Sequence, residues 1–287
     1  MNRRVIQFGN KRIGAGESIF VIAEAGLNHG GNLETAAKMI EAAAEAGADA
    51  IKFQAFRTEE RFGIASEAYH LVKPTELNRD HFVALSKIAD RVGIEFFATA
   101  FDEKSLQELV SISVPAIKIA SCDICNRKLL RVVAQTGLPV ILSRGTASEV
   151  ETTATVELFR EYRSPLALLH CVSSYPLEEI SANLRAIHAL LSLYDVPIGY
   201  SDHSCGIKIP LLAVYAGAMV IEKHFTLDRG RCGIDWEISA EPAELQQLIN
   251  EIREAEHILG HGRIESLPCE AEEIAYRKQM RMPENDF

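Results

Sequence analysis

The chain has 287 residues, 47% of them hydrophobic and 24% charged, the balance of a globular protein and not of a disordered one. Thirty basic against forty acidic residues leave a net charge of −10, which argues against nucleic acid as the main partner but allows a small anion in a locally positive pocket. No apolar run is long enough to span a bilayer, and no signal-peptide core follows the basic start Asn2-Arg3-Arg4, so a cytoplasmic protein is expected.

Residues 1–18 stand apart, with 4–18 reading as a short hairpin that turns at Gly9-Asn10 and plugs one end of the core. From there the chain alternates. The apolar run 20–23 precedes a helical stretch, 33–46, with Gly47 placed as its C-terminal stop. The run 50–54 is followed by an unusually long connection, 55–79, a candidate lid. Helix 80–92 then ends at Gly93. Run 95–99 leads to helix 103–110, and run 116–120 to helix 126–135, which stops near Gly137-Leu138-Pro139. Runs 140–143, 166–171, 197–201 and 220–225 lead to helices 148–162, 182–194, 207–217 and 242–259. Residues 261–287 form a polar tail with one basic patch, Arg277-Lys278-Gln279-Met280-Arg281.

Several runs are continuously apolar, as expected of parallel strands buried on both faces. Eight such alternations over residues 19–260 predict an α/β fold, a (β/α)8 TIM barrel. A doubly wound sheet would carry a glycine-rich dinucleotide loop after its first strand. The sequence there, Gly26-Leu27-Asn28-His29-Gly30-Gly31, lacks that order.

Barrel enzymes work at the C-terminal ends of their strands, and all eight runs here deliver polar groups to that end. Lys52 and Lys118 interrupt apolar runs, where lysine seldom lies without a partner. With Thr99, Ser121, Ser143 and Ser201 they suit a phosphate and a carboxylate. The alternatives are lysines paired with strand-end carboxylates such as Glu24 or Asp123, or a Schiff-base lysine. His203 and His224 end the last two runs and are candidate metal ligands or ordinary hydrogen-bonded histidines. Six cysteines are too few for a disulfide framework, and the lone Cys122-x-x-Cys125 reads as reduced thiols rather than a redox pair or half a zinc site.

Four segments resemble the sialic acid synthase family: Ile22-Ala23-Glu24-Ala25-Gly26-Leu27-Asn28-His29-Gly30-Gly31, Ile51-Lys52-Phe53-Gln54, Pro197-Ile198-Gly199-Tyr200-Ser201-Asp202-His203 and Ile221-Glu222-Lys223-His224-Phe225-Thr226. The resemblance runs from about residue 17 to 266. It implies condensation of phosphoenolpyruvate with an N-acetylated amino sugar aldehyde to a nine-carbon 2-keto-3-deoxy sugar acid, with release of phosphate. It further implies a divalent metal, Mn first and Mg or Co as alternatives, on His203 and His224. By the same resemblance Lys52, Thr99, Lys118, Ser121, Ser143 and Ser201 hold phosphoenolpyruvate. Gln54, Asp123, Tyr175 and Asp235 face the amino sugar, and Glu24 is the catalytic carboxylate.

Three departures from the family pattern stand out. The usual form continues into an antifreeze-like domain that supplies an arginine to a partner's site; this sequence ends at Phe287, so Arg144, Arg277 or Arg281, or a separate capping partner, is expected in its place. Asp123 stands where glutamate is more usual, and the Cys122/Cys125 pair replaces more ordinary residues. A homo-oligomer formed through the barrels is expected. The competing readings are a pyruvate aldolase or a synthase of another sugar and, in a different class, a non-catalytic barrel that binds a sugar acid.

Overall fold

The computed structural model describes residues 5–230 and 234–280. Strands β1 (Ile6–Phe8) and β2 (Lys11–Ile13) form an antiparallel hairpin. Eight parallel strands follow: β3 (Phe20–Gly26), β4 (Ala50–Ala55), β5 (Glu95–Ala100), β6 (Ile117–Ile119), β7 (Val140–Ser143), β8 (Leu166–His170), β9 (Ile198–Asp202) and β10 (Val220–His224). Each pairs with its sequence neighbour. The ring closes where β10 pairs with β3, from Val220 opposite Phe20 to His224 opposite Glu24. The eight apolar runs are therefore the staves of a closed barrel.

Helices α1 (Leu33–Glu45), α2 (Thr58–Arg61), α3 (Glu67–Val72), α4 (Arg79–Val92), α5 (Glu103–Ser111), α6 (Arg127–Gln135), α7 (Glu149–Glu161), α8 (Arg185–Leu193), α9 (Lys208–Tyr215), α10 (Pro242–Leu259) and α11 (Ala271–Gln279) complete the order. Local chemistry sets their ends. Asn32, Asn78, Asp102, Asn126 and Ser148 cap helix N-termini with a side-chain oxygen, and Gly93 stops α4 in the left-handed region. The predicted helix 182–194 starts late, at Arg185, because Asn183 has a φ of 46° and interrupts the turn before it. The long connection 55–79 is not structureless: it holds α2, α3 and a short 3-10 turn, pinned by Arg57 against Glu108 and by Lys73 between Glu59 and Glu76.

Apolar side chains pack in two layers. The larger lies between the barrel and its helices. The smaller fills the N-terminal end of the barrel, where the hairpin contributes Ile6, Phe8 and Ile13. The Phe8 ring sits 4.8 Å from Phe20 and 4.9 Å from Phe97. Asp49 and Arg253 lash the same end together: Asp49 accepts from Val21 N–H at 2.9 Å and from Arg253 at 2.9 Å, and Arg253 donates to the Ile19 carbonyl at 2.7 Å. The bottom is thus sealed, and the opposite end is left for chemistry. Residues 261–280, which include α11, lie almost wholly exposed.

Candidate active site

Side chains alternate across a strand, so only every second residue of a barrel stave points inward. On β10 that rule sends Glu222 and His224 into the barrel and Lys223 outward. There Lys223 is fully buried and pairs with Asp202 at 2.7 Å, a structural ion pair outside the site. On β4 the rule turns Lys52 and Gln54 inward. The inward residues at the C-terminal ends line a cavity of about 470 Å³, which collects Glu24, Lys52, Gln54, Thr99, Lys118, Ser121, Ser143, Tyr175, Ser201, His203, His224 and Asp235.

The floor is a buried charge cluster. Lys52 contacts the Glu24 carboxylate, lies 3.6 Å from Glu222 and donates to Thr99 Oγ1 at 3.2 Å. Lys118 donates to Ser143 Oγ and lies 3.5 Å from Glu222, which also accepts from Ser201 Oγ at 2.8 Å. Both lysines thus have carboxylate partners, Glu24 and Glu222. Asp123 is not one of them. Burial, only partly offset by Lys52, pushes Glu24 up to about 7. Burial alone would raise Glu222 as well, but Lys118 and Lys52 outweigh it and hold this carboxyl low. Burial pulls Lys118 below the usual ammonium range, whereas the two carboxylates carry Lys52 above it.

Beside the floor stand two histidines with ring centroids 5.5 Å apart. His203 Nδ1 donates to the Val172 carbonyl at 2.7 Å, which leaves the Nε2 lone pair for another partner. His224 Nδ1 is buried, has no hydrogen-bond partner and lies 3.8 Å from Asp235 Oδ2. Burial keeps both rings neutral, the form that ligates metal. An orphaned buried nitrogen beside a second oriented imidazole fits a divalent ion. No three His, Cys, Asp or Glu side chains converge on one point among the described residues, so the protein would supply two ligands and leave positions for water and substrate. Tyr175 stacks 4.1 Å from the His203 ring at the mouth.

Two glycines allow the walls to come this close. Gly26, at a φ of 52°, follows an irregularity in the β3–β4 ladder, and a side chain there would meet Asp235 Oδ2 at 2.6 Å. Gly145, at a φ of 48°, lets the β7 loop approach Ser121, whose Oγ lies 3.3 Å from Ser173 Oγ.

The structure departs from the sequence expectation at Asp123 and Arg144. Asp123 does not line the cavity; its carboxylate turns to Arg61 at 3.3 Å and Asn126 at 3.3 Å, at the end of a 3-10 turn whose first two residues, Ser121 and Cys122, face the cavity. Arg144 is held by the Ala147 carbonyl within its own loop and does not line the cavity. Arg277 lies exposed on α11, and Arg281 falls outside the described residues, as does Cys232. Cys122 and Cys125 are free thiols in the turn after β6, and burial raises Cys122 above the ordinary thiol range, away from a reactive thiolate. Glu222 was not singled out from the sequence, although the two-residue period places it on the same face as His224.

A model of the NeuB family matches residues 39–264. N,N'-diacetyllegionaminic acid synthase of Legionella pneumophila is 39% identical over 273 residues, covering 88% of this chain and 77% of the relative. N-acetylneuraminate-9-phosphate synthase of Homo sapiens is 36% identical over 272 residues, covering 90% and 76%. The solved N-acetylneuraminic acid synthetase of Leptospira borgpetersenii, in complex with citrate, superposes with a TM-score of 0.96 at 55% identity and covers 98% of this chain and 99% of its own.

Proposed function

The chain belongs to the NeuB family, and from that premise we propose that it condenses phosphoenolpyruvate with an N-acetylated amino sugar aldehyde, such as N-acetylmannosamine or a diacetamido relative. The product is a nine-carbon 2-keto-3-deoxy sugar acid, with phosphate released. The observation that carries this reading is the floor: two buried ammoniums, Lys52 and Lys118, bonded to Thr99 and Ser143, with Ser121 and Ser201 lining the same cavity. Such a cluster suits a compact phosphate–carboxylate and not a neutral ligand.

In this reading the lysines hold phosphoenolpyruvate with its C3 facing the acceptor aldehyde. His203 and His224 would hold a divalent ion, Mn in the first instance, which would supply Lewis-acid polarisation of that aldehyde. C3 attacks the aldehyde carbon, whose oxygen becomes a hydroxyl with a proton that water ultimately supplies, and that water adds at C2. The resulting hemiketal phosphate breaks its C2–O bond, so phosphate leaves with the bridging oxygen and C2 becomes the ketone. Glu24, buried beside Lys52 and accepting from Gln54 at 3.1 Å, orients the water and takes its proton. Lys52 and Lys118 stabilise the phosphate and carboxylate charge throughout.

A second reading rests on the depressed Lys118 ammonium, which would suit a Schiff-base aldolase. The deciding experiment measures phosphate release from phosphoenolpyruvate by EDTA-treated protein, with Mn added or withheld, against N-acetylmannosamine, 2,4-diacetamido sugars and phosphorylated hexoses. Metal-dependent release with one of the amino sugars is expected. A borohydride-trapped pyruvate adduct on Lys118, without phosphate release, would replace the synthase with the aldolase.

A further inference from the structure

Arg61 ends α2 in the connection between β4 and α4. Its guanidinium carbon lies 4.1 Å from the centre of the Phe101 ring, Nη1 lies 3.3 Å from Asp123 Oδ2, and Nη2 lies 3.6 Å from Cys122 Sγ. Phe101 and Cys122 both line the cavity, so this cation stands at its rim. The two floor lysines are 4% and 3% exposed, whereas the Arg61 side chain is 24% exposed and reachable by a ligand entering from solvent.

The placement is built. Stacking on an aromatic ring and pairing with a carboxylate fix the plane of the guanidinium. The carboxylate is itself held, because Asp123 also accepts from Asn126. The turn that carries Asp123 also carries Ser121 of the cavity wall, so the ion pair ties α2 to the wall itself. A guanidinium has five N–H groups; Asp123 and Cys122 engage two of them.

We propose that Arg61 is an acceptor-recognition residue, donating to the neutral acylamido or hydroxyl oxygens of a non-phosphorylated sugar, and that Asp123 makes the rim select against sugar phosphates. This rests on the synthase reading of the cavity. An uncharged oxygen needs only an oriented N–H donor, which a neutralised guanidinium still offers. A phosphate dianion at the same place would meet the Asp123 carboxylate one guanidinium away, so the pair's net charge gives it no attraction and the near carboxylate repels it.

The test separates recognition from turnover by using N-acetylmannosaminitol and its 6-phosphate, which lack the aldehyde and cannot react. Titration calorimetry compares wild type, Arg61→Met, Arg61→Lys and Asp123→Asn, and phosphoenolpyruvate is titrated as a control. Wild type is expected to bind the neutral alditol more tightly than its phosphate. Arg61→Met should weaken neutral alditol binding by about tenfold or more, with Arg61→Lys intermediate and phosphoenolpyruvate affinity unchanged within about twofold. Asp123→Asn should move the ratio of phosphate to neutral binding upward by about tenfold. Equal alditol binding by wild type and Arg61→Met, wild-type preference for the phosphate, or no binding of either alditol overturns the proposal. Alditol binding that depends on Arg61, without phosphate release in any sugar assay, would overturn the synthase reading and leave the recognition role standing.

Discussion

The Glu222 carboxylate lies 3.5 Å from the Lys118 ammonium, and both side chains are almost wholly withdrawn from water. The same carboxylate is 3.6 Å from Lys52, so one buried anion answers two cations. An isolated buried charge costs more than a paired one returns. Glu222→Gln keeps the shape and strips the countercharge. It is expected to destabilise the ligand-free protein by about 3 kcal/mol. Phosphoenolpyruvate or inorganic phosphate should then raise the variant's Tm more than that of wild type. Thermal unfolding with and without the anion checks this; equal ligand-induced shifts would show that the lysines do not receive it.

His203 and His224 are proposed to act on the acceptor aldehyde, while the lysines hold the donor. His203→Ala should therefore lower kcat by about 1000-fold or more with phosphoenolpyruvate affinity changed by less than about threefold. Near wild-type turnover of the variant with Mn present would remove the histidine from the reaction.

His29, after β3, is buried, and its Nδ1 accepts from the Gly31 N–H at 3.0 Å. Burial pushes it down to about 4 from an ordinary 6.5. The unfolded chain therefore takes up this proton first as the pH falls. The stability it contributes is complete above about 6.5 and is lost progressively as the pH falls to about 4, by roughly 3 kcal/mol at most. His29→Asn keeps an acceptor for Gly31 and cannot titrate. Its Tm should fall less steeply than that of wild type across this window, and parallel slopes would assign the acid loss to other groups.

Phe8 in the hairpin is fully buried against Phe20 and Phe97, far from the cavity end of the barrel. Phe8→Ala is expected to cost about 3–5 kcal/mol in denaturant unfolding. KM for phosphoenolpyruvate, measured well below the unfolding transition, should stay at the wild-type value.

The barrel was legible because buried parallel strands leave continuous apolar runs; seven of the eight runs mark their staves to within a residue at each end, and the first, 20–23, falls three residues short of the end of β3. The hairpin was legible from Gly9-Asn10. What escaped is what depends on facing. The sequence shows Glu222, Lys223 and His224 in a row, and only the pleat separates the two that enter the site from the one that leaves it. A strict period-two reading would have found Glu222. Asp123 and Arg61 could not be treated the same way: Asp123 ends a single 3-10 turn and Arg61 a four-residue helix, both too short for a period to show, and their pairing joins segments 62 residues apart. The length of the connection 55–79 suggested a lid, but the pairs Arg57–Glu108 and Lys73–Glu59 join separated charges that no local pattern announces.

The ladder that closes the barrel sets His224 opposite Glu24. During synthesis, β3 must wait with an unpaired edge until residue 224 has been made, and such edges invite association between nascent chains. Lys52, Thr99 and Lys118 come from strands that can pair earlier, whereas Glu222 and His224 arrive with the last stave. Ring closure therefore completes the charge cluster, and recovery of turnover during refolding reports this final pairing rather than the collapse that precedes it.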